Sequence, residues 1–313
     1  MYSARRIVTT GFNTTRGIII VTAPLCKICS AKTVRHLYRS QRYGFQVGRC
    51  TRCGSTFVLD KVNESELKDM YGDDSSFERF SNLIDNEKVS KRHLDALHLF
   101  RELLPSGTIS PRIFDVGAGS GAFLNQARGC GFEMYGNELS DSAIRMAHEK
   151  YGIALSPLPL EQDQRSDAFD VITMWGLIEH VLDPVAVLQS AFDALCRGGI
   201  LFIYTPVWCM YDEIGLSLAR LGHWTRLLDR RITMAHLNLF SAGGMKGCLS
   251  AIGYEIIRLE KVCEYNFPTS AYLESLGVPV SLRRPIGSTL DCFINRGFFF
   301  RNNMRVFCRK PMK

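Results

Sequence analysis

The sequence predicts an α/β protein in which a mostly parallel sheet carries helices on both faces and follows a small cysteine-rich unit. From residue 112 onward, short apolar segments alternate with helix-like segments, a rhythm typical of βαβ units. Four of the 11 cysteines form two closely spaced pairs near the start of the chain. The hydrophobic content of 46% supports a packed core and excludes a disordered chain.

The 313 residues divide into four predicted segments. Residues 1–23 are predicted to be a flexible leader, although their acid-free composition also resembles an organelle transit peptide. The cysteine-rich unit covers 24–59, a linker and a helix occupy 60–104, and the main domain covers 105–313. Because we find neither a secretory signal nor an apolar run approaching the ~20 residues that span a bilayer, we expect a cytoplasmic location.

The predicted elements follow one another in a regular order. The first helix is expected over 77–104, where apolar residues recur at spacings of three and four. Strands are expected at 113–116, 134–136, 153–155, 169–174, 199–204, 254–259 and 304–308. Helices are expected at 121–129, 141–151, 184–196 and 241–252. Residues 207–240 form an aromatic and basic insert, which we place on the substrate side.

Positive charge is concentrated at the two ends of the chain. Residues 1–59 contain ten Lys or Arg and no acid, and residues 281–313 contain eight Lys or Arg and one acid. The segment between them has twenty bases and thirty acids. Such a distribution attracts anions, for example nucleic acid, a nucleotide-linked substrate or anionic lipid, or it forms an ordinary solvated surface.

The two cysteine pairs predict a metal site. Cys26 and Cys29 form one CxxC pair, Cys50 and Cys53 form the other, and 20 residues separate the pairs. Each pair can hold one side of a tetrahedral ion, and four thiolates make a closed structural zinc site. This is the arrangement of a zinc ribbon, in which the metal stabilises a unit too small to fold alone. Iron–sulfur or redox use of the same thiols is the alternative.

A glycine-rich turn predicts a ligand site. Residues 115–121, DVGAGSG, follow a predicted strand and open a predicted helix. Gly117, Gly119 and Gly121 let the backbone approach a ligand, and the helix N-terminus offers unpaired N–H groups. Glu138 ends the next strand, where a carboxylate can accept both hydroxyls of a ribose. The alternative is a tight turn without a ligand.

The same turn also satisfies the dinucleotide fingerprint G-x-G-x-x-G/A, with Ala122 in the last position. Two features favour a different ligand. Asp115 lies two residues before the first glycine, where its carboxylate would repel a pyrophosphate but could order the turn or meet a cationic ligand. The segment around the fourth strand has no role in the dinucleotide motif.

Together these segments resemble the class I S-adenosylmethionine-dependent methyltransferases. DVGAGSG is similar to their first motif, and Glu138 in GNELS is similar to their ribose-binding acid. Residues 169–184, FDVITMWGLIEHVLDP, look like the fourth-strand motif of the branch that includes ubiquinone-pathway O-methyltransferases, and HLNLFS at 236–241 is similar to a segment recurring there. The resemblance covers about 110–310. It implies a Rossmann-like, seven-stranded methyltransferase sheet and S-adenosylmethionine as cofactor.

The resemblance also implies roles for individual residues. The three glycines of the turn would approach the methionine part and the ribose of the cofactor, and Glu138 would hold the ribose. Asp115 would anchor the turn or the cofactor's amino group. Trp175 and Gly176, just past the fourth strand, would line the cofactor and acceptor pocket.

The chain departs from the family pattern at the end of the third strand. An acidic residue often lies near the adenine there, whereas residues 156–160 of this chain, SPLPL, contain none. Backbone contacts with Leu158 or Leu160 would then have to hold the adenine.

A hydroxyl acceptor needs a general base as well as an aligned methyl group. His180 is the first candidate, because it lies just after the fourth strand, at the carboxyl edge of the sheet where ligands bind. Capping or packing of the next helix is the alternative role for His180. His236 is the second candidate and His223, in the aromatic insert, is the third.

The sequence therefore predicts methyl transfer to a small hydroxylated or anionic acceptor, such as a nucleotide-linked sugar or a glycan or lipid precursor. Zinc ribbons also accompany methyltransferase domains in some sugar C-methyltransferases and rRNA guanine methyltransferases, so RNA methylation by a basic ribbon protein is the first alternative. The Asn-Pro-Pro-aromatic signature of amino-directed nucleic-acid methyltransferases does not follow the fourth strand, which argues against base methylation. A non-catalytic cofactor-binding assembly protein is the second alternative.

Overall fold

A computed structural model describes residues 25–62, 86–162, 165–222, 225–232, 236–264, 269–275, 277–295 and 301–312. The predicted leader at 1–23 lies outside these residues, as do residues 63–85 of the predicted linker and helix and His223 of the insert. The described residues form two sheets, one of six strands and one of four.

The described strands and helices are numbered in chain order. The strands are β1 (Val34–Arg39), β2 (Gln46–Cys50), β3 (Thr56–Val58), β4 (Arg112–Val116), β5 (Glu133–Asn137), β6 (Phe169–Trp175), β7 (Leu195–Pro206), β8 (Asn238–Leu239), β9 (Glu255–Val262) and β10 (Asn303–Arg309). The α-helices are α1 (Glu87–Leu103), α2 (Ala122–Gly129), α3 (Asp141–Tyr151), α4 (Pro184–Ala194), α5 (Met210–Gly222), α6 (Ala242–Ile252), α7 (Thr269–Ser275) and α8 (Val280–Asn295).

The large sheet has the strand order β5-β4-β6-β7-β10-β9. Strands β5, β4, β6 and β7 are parallel, whereas β10 is antiparallel to both β7 and β9. Residues 198–206 of β7 are all buried, as expected for a strand covered on both faces. The parallel strands all end at one edge, called the carboxyl edge below, where ligands bind in open α/β sheets.

Four of the eight described α-helices begin where the sequence supplies a capping side chain. Asn86, Ser140, Asp183 and Ser241 cap α1, α3, α4 and α6 by accepting hydrogen bonds from backbone N–H groups of the first turn. Helix α2 differs, because its N-cap is Gly121 in a left-handed conformation and no side chain caps it. Its first N–H groups are therefore available to a ligand.

The predicted seventh strand is not confirmed in the described part of the sheet. Residues 153–155 form no strand, and next to them a parallel bridge joins Asn137 to Ser156. Pro157 and Pro159 follow at once, and proline lacks the N–H group that a ladder needs. The other predicted strands are present with shifted ends, whereas α7 and α8, between β9 and β10, were not predicted.

The small sheet joins the cysteine-rich unit, hereafter the ribbon (residues 25–59), to the main domain. Strands β1 and β2 form the expected antiparallel hairpin and β3 pairs with β2. The fourth strand is β8 from the insert, which pairs Thr56 with Leu239 and Phe57 with Asn238. The ribbon therefore shares a sheet with the main domain.

Apolar layers cover both faces of the large sheet. On one face, Phe114 and Ile172 share a core with Met245 of α6 and with Phe57 of the ribbon. On the other face, Phe202 packs with Phe100 of α1. Among the described residues, no helix combines the length and apolar content that a membrane span requires.

Candidate active site and metal centre

The glycine turn between β4 and α2 has the predicted backbone. Gly117, Gly119 and Gly121 have positive φ angles of 70°, 54° and 76°. The Gly121 N–H donates to the Ala118 carbonyl at 3.0 Å, which closes the turn. A Cβ on Gly117 would lie 2.8 Å from Leu177 Cδ1, so this position combines a left-handed backbone with a close approach.

Asp115 lies inside the sheet below this turn. Its side chain accepts a hydrogen bond of 2.6 Å from Thr173 Oγ1 of β6, and the residue is only 2% exposed. Burial raises the pKa of the Asp115 carboxyl to about 8, the Thr173 hydrogen bond opposes this shift, and the charge of Glu138 adds to it. Since this side chain bridges β4 to β6, its placement supports an anchoring role for Asp115.

Glu138 faces the glycine turn. Its Oε2 accepts a hydrogen bond from the Gly119 N–H at 3.0 Å, and its Oε1 accepts bonds from the N–H groups of Leu139 at 2.7 Å and Ser140 at 3.0 Å. An ionised carboxylate has about four acceptor positions and these bonds use three of them, so Oε2 can still accept one hydroxyl. These residues fit the ribose of S-adenosylmethionine.

Two residues that sequence reasoning missed adjoin this carboxylate. Asn137 accepts a hydrogen bond from the Gly117 N–H at 3.2 Å and donates one to the Leu158 carbonyl at 2.8 Å, so it joins the turn to the segment predicted to hold the adenine. Leu139, like Leu158, is more than half exposed, at 56% and 51%. Two exposed apolar side chains are suited to contact with the flat adenine ring. The sequence feature that could have identified Asn137 and Leu139 is their position on either side of Glu138.

Trp175 and Gly176 lie at the carboxyl edge, where β6 ends. The Trp175 ring packs against His93, Phe123 and Phe202 at centroid distances of 4.6, 5.3 and 4.6 Å. Its indole Nε1 is buried and has no hydrogen-bond partner among the described residues. A cleft of ≈ 170 Å³, between α1 and strands β9 and β10, opens beside this ring. A buried, unused donor beside a cleft is suited to ligand binding.

The structure brings His180 and His236 together at the same edge. Their ring centroids lie 4.6 Å apart with an interplanar angle of 79°. Glu179, only 3% exposed, accepts a hydrogen bond from the Thr205 hydroxyl at 2.9 Å. The Glu179 Oε1 lies 3.9 Å from the His180 Nε2. The first two predicted base candidates therefore form one cluster with a buried carboxyl.

Burial sets the protonation of this cluster. It raises the pKa of the Glu179 carboxyl to about 7 and lowers the pKa of the His236 imidazole to about 4, so His236 is neutral at pH 7. The His236 Nδ1 lies 3.0 Å from the Arg231 carbonyl, which fixes Nδ1 as the protonated nitrogen. Ligand atoms of Glu179, His180 and His236 lie within 4.8 Å of one another, so the three could also hold a divalent cation.

The four predicted metal ligands converge in the ribbon. Cys26 Sγ lies 3.7 Å from Cys53 Sγ, Cys29 Sγ lies 3.6 Å from Cys50 Sγ, and all four sulfurs are within 4.8 Å of one another. A tetrahedral site with Zn–S bonds of about 2.3 Å has sulfur–sulfur edges of about 3.8 Å. The hydrogen bond between Cys26 and Cys53 raises the pKa of the Cys26 thiol and lowers that of Cys53. The cluster is compatible with zinc.

Comparison with known proteins decides the family. A family model described as "Methyltransferase domain" matches residues 86–259, more than half of the chain. The chain belongs to this methyltransferase family. The matched segment runs from α1 into β9, so it includes the glycine turn, Glu138 and both histidines, while the ribbon lies outside it.

Curated relatives of the methyltransferase carry the name Ubiquinone biosynthesis O-methyltransferase. The relative from Nitrosomonas europaea is 28% identical over 170 residues, which cover 48% of this chain and 71% of that protein. The relative from Idiomarina loihiensis is 28% identical over 116 residues, which cover 34% and 46%. The chain spans about half the length of most of the curated relatives it matches.

Solved structures show the same fold. Magnesium protoporphyrin IX methyltransferase from Synechocystis PCC 6803, with bound SAH, superposes with a TM-score of 0.54 at 11% identity and covers 79% of this chain and 100% of that one. A putative methyltransferase in complex with the Trm112 activator from Haloferax volcanii gives 0.52 at 12% identity, with coverages of 80% and 100%. The chain therefore has the fold of these methyltransferases.

Proposed function

We propose that the protein transfers a methyl group from S-adenosylmethionine to a hydroxyl group of a small acceptor, such as a nucleotide-linked sugar or a glycan or lipid precursor. The observation that carries this proposal is the Glu138 carboxylate, held beside the glycine turn by three backbone N–H groups. Glu138 holds the ribose in this proposal. Gly117, Gly119 and Gly121 admit the rest of the cofactor beside the uncapped N-terminus of α2.

In this proposal the acceptor extends from Trp175 towards His180 at the carboxyl edge. The cofactor would supply a methyl group already activated for transfer, so the protein has to align the acceptor oxygen and exclude water. The cleft beside Trp175 offers aromatic rings and charged side chains of both signs, which suit a hydroxylated ring. Its lining includes Trp175, Phe202, Phe307, Arg92, Arg258, Arg305, Asp95 and Glu260.

His180 acts as the general base. An imidazole nitrogen of His180 accepts the proton of the acceptor hydroxyl, and S-adenosylmethionine would supply the methyl group that replaces this proton on the oxygen. His236, whose pKa burial lowers to about 4, orients His180 and does not carry the proton. Glu179, with a pKa of about 7 and 3.9 Å from the His180 Nε2, stabilises the imidazolium when ionised.

The names of the curated relatives support a hydroxyl acceptor, because those proteins are named O-methyltransferases. Their identity of 28% and partial coverage do not identify the acceptor of this chain. The acceptor class therefore rests on the chemistry of the cleft and of the histidine pair.

Incubation with a methyl-labelled donor and a cell extract tests the proposal. We expect a labelled small molecule, which disappears with Glu138→Ala and persists with Glu133→Ala, an exposed glutamate at the other end of β5. Labelled RNA would contradict the proposed acceptor class. Donor binding without any labelled product would favour the non-catalytic assembly protein.

We also propose that the four ribbon cysteines hold one structural Zn²⁺. The sulfur–sulfur distances support a tetrahedral ion, and four thiolates leave no open coordination position for catalysis. No disulfide joins any of the 11 cysteines, and reduced cysteines favour the cytoplasm as the proposed location. Metal analysis of freshly purified protein should find one zinc per chain.

A second candidate function is methylation of RNA, favoured by the surface of the ribbon. Its basic side chains Lys32, Arg35, Arg39, Arg42 and Arg52 are exposed, and residues 25–59 contain no acid. Binding to RNA whose log affinity falls steeply with log salt concentration would support this candidate. Methyl transfer to a nucleotide sugar that is insensitive to salt would exclude it.

A further inference from the structure

Asn238 holds the chain on both sides of His180. It lies in β8 and is 1% exposed. Its backbone N–H donates to the Glu179 carbonyl at 3.0 Å, and its side-chain Nδ2 donates to the Val181 carbonyl at 2.7 Å. His236 precedes Asn238 by two residues. One residue therefore fixes the backbone around His180 and, through the chain, the position of His236.

The ribbon holds the strand on which Asn238 lies. β8 has two residues, which pair with Thr56 and Phe57 of β3. The Val58 N–H adds a hydrogen bond of 3.0 Å to the Leu237 carbonyl. So short a strand has little stability of its own, since independent sheets need three or more strands. The position of Asn238 therefore depends on β3.

The chain just after β8 is joined directly to the cysteine cluster. The Ser241 hydroxyl donates to the Cys53 carbonyl, and the Ser241 N–H donates to Ser55 Oγ at 3.0 Å. The fit is tight here, because a Cβ on Gly244 would lie 2.2 Å from Ser55 Oγ and 3.4 Å from Cys53 Sγ. Direct contacts therefore run from the cluster to Ser241, and from Asn238 of β8 to the chain on both sides of His180.

We propose that Asn238 is a positioning residue through which the ribbon sets the geometry of the His180–His236 pair. The catalytic consequence rests on the proposed function, which assigns the base role to His180. The inference gives the ribbon a part in methyl transfer beyond its own folding. Removal of the Asn238 amide releases the Val181 carbonyl and lets His180 move away from His236.

Proton NMR of the zinc-bound full chain tests this geometry without an acceptor. The imidazole signals are assigned by their loss in His180→Gln and His236→Gln. The centroid separation of 4.6 Å predicts a strong cross-relaxation peak between the two rings in the unmodified protein. We expect Asn238→Ala to remove this peak, while the affinity for S-adenosylhomocysteine (SAH) stays within twofold of that of the parent protein.

Tyr254→Phe is the matched control. The Tyr254 hydroxyl donates to the Leu188 carbonyl at 3.1 Å, so this variant also loses one buried hydrogen bond to a carbonyl. We expect a comparable fall in melting temperature with the cross-relaxation peak kept. If Asn238→Ala keeps the peak, or if both variants lose it, the inference is overturned. Should Asn238→Ala fail to fold, Asn238→Ser, whose hydroxyl can donate to the same carbonyl, is expected to fold with a weakened peak; a peak of full intensity would overturn the inference.

Activity then separates this inference from the proposed function. We expect Asn238→Ala to lower kcat at least tenfold with an unchanged KM for S-adenosylmethionine, and Asn238→Ser to restore part of the rate. If the peak disappears while kcat stays at the parent value, the positioning role stands and the base role of His180 is contradicted.

Discussion

The carboxyl edge has a cofactor side, around the glycine turn, and a histidine side, around His180 and His236. The contacts that fix these two sides differ in how far apart their partners lie along the chain. The glycine turn is fixed by bonds among residues 115–173, such as that from Gly119 to Glu138, 19 residues apart, and that from Thr173 to Asp115, 58 residues apart. The histidine pair depends on Asn238, whose strand is held by the ribbon, and Ser241 meets Ser55 across 186 residues of chain. The cofactor side is therefore local, whereas the histidine side requires the whole fold.

Because of this difference, we expect that cofactor binding and methyl transfer can be impaired independently of each other. Damage to the ribbon should reach the histidines and leave the glycine turn intact, whereas damage to the turn should abolish cofactor binding and leave the histidines in place.

The largest effect is expected from loss of the metal. Structural zinc sites contribute about 10–16 kcal/mol of binding free energy to the folded state. Cys50→Ser should lose zinc and expose the ribbon amides to hydrogen exchange, while SAH binding persists. Cys130 lies outside the cluster, so Cys130→Ser should keep both the metal and the protection of the ribbon amides from hydrogen exchange. Full retention of zinc by Cys50→Ser would contradict the assigned ligand set.

The next effect concerns catalysis alone. General-base assistance contributes typically about 10²–10⁴ in rate, so His180→Gln should lower kcat by roughly that factor with unchanged SAH affinity. His98→Gln, an exposed histidine on α1, is the control and should retain the parent rate. Steady-state kinetics and calorimetry measure the two quantities. A parent-like kcat in His180→Gln would remove it as the base.

The range of the contacts also explains how much the sequence could predict. The glycine turn, Glu138 and the four cysteines lie in short motifs whose spacing carries their geometry. The sequence predicts His180 and His236 only as separate base candidates. Their contact could not be predicted, because only the fold brings the two ring centroids to 4.6 Å from each other. Asn238 was missed, since no local pattern marks a residue whose partner strand lies in the ribbon. Helix α8 was missed because Pro285 and Gly287 interrupt its pattern.

A smaller effect is expected from pH. Burial raises the pKa of Asp115 to about 8 and that of Glu179 to about 7, so the folded chain keeps protons that the unfolded chain releases above pH ~4. The free energy of unfolding should therefore fall as pH rises from about 4 to about 8. Asp115→Asn, which can still accept the Thr173 bond, should flatten this fall by on the order of 2 kcal/mol. Urea unfolding at pH 5 and pH 8 measures it, and an unchanged slope would contradict the burial argument.

The smallest effect separates backbone strain from ligand contact. Gly117 and Gly107 both have left-handed φ angles, 70° and 90°, but only at Gly117 would a Cβ meet a neighbour. Gly107→Ala should lose about 1 kcal/mol of stability from backbone strain, and Gly117→Ala should lose more, because its Cβ would also contact Leu177. Gly117→Ala alone should weaken SAH binding, by roughly tenfold, as measured by calorimetry. Equal affinities in the two variants would show that the turn does not approach the cofactor.

The central claim is that Glu138 grips the ribose of an adenosyl cofactor beside the glycine turn. Calorimetric titration of SAH into Glu138→Ala, with Glu133→Ala as the matched control, tests it most directly. Hydrogen bonds to a charged group contribute about 1.5–3 kcal/mol each, so Glu138→Ala should bind SAH on the order of 100-fold more weakly. Glu133→Ala should match the parent. Equal SAH affinity in the two variants, or tight binding of a nicotinamide dinucleotide by the parent, would contradict the account.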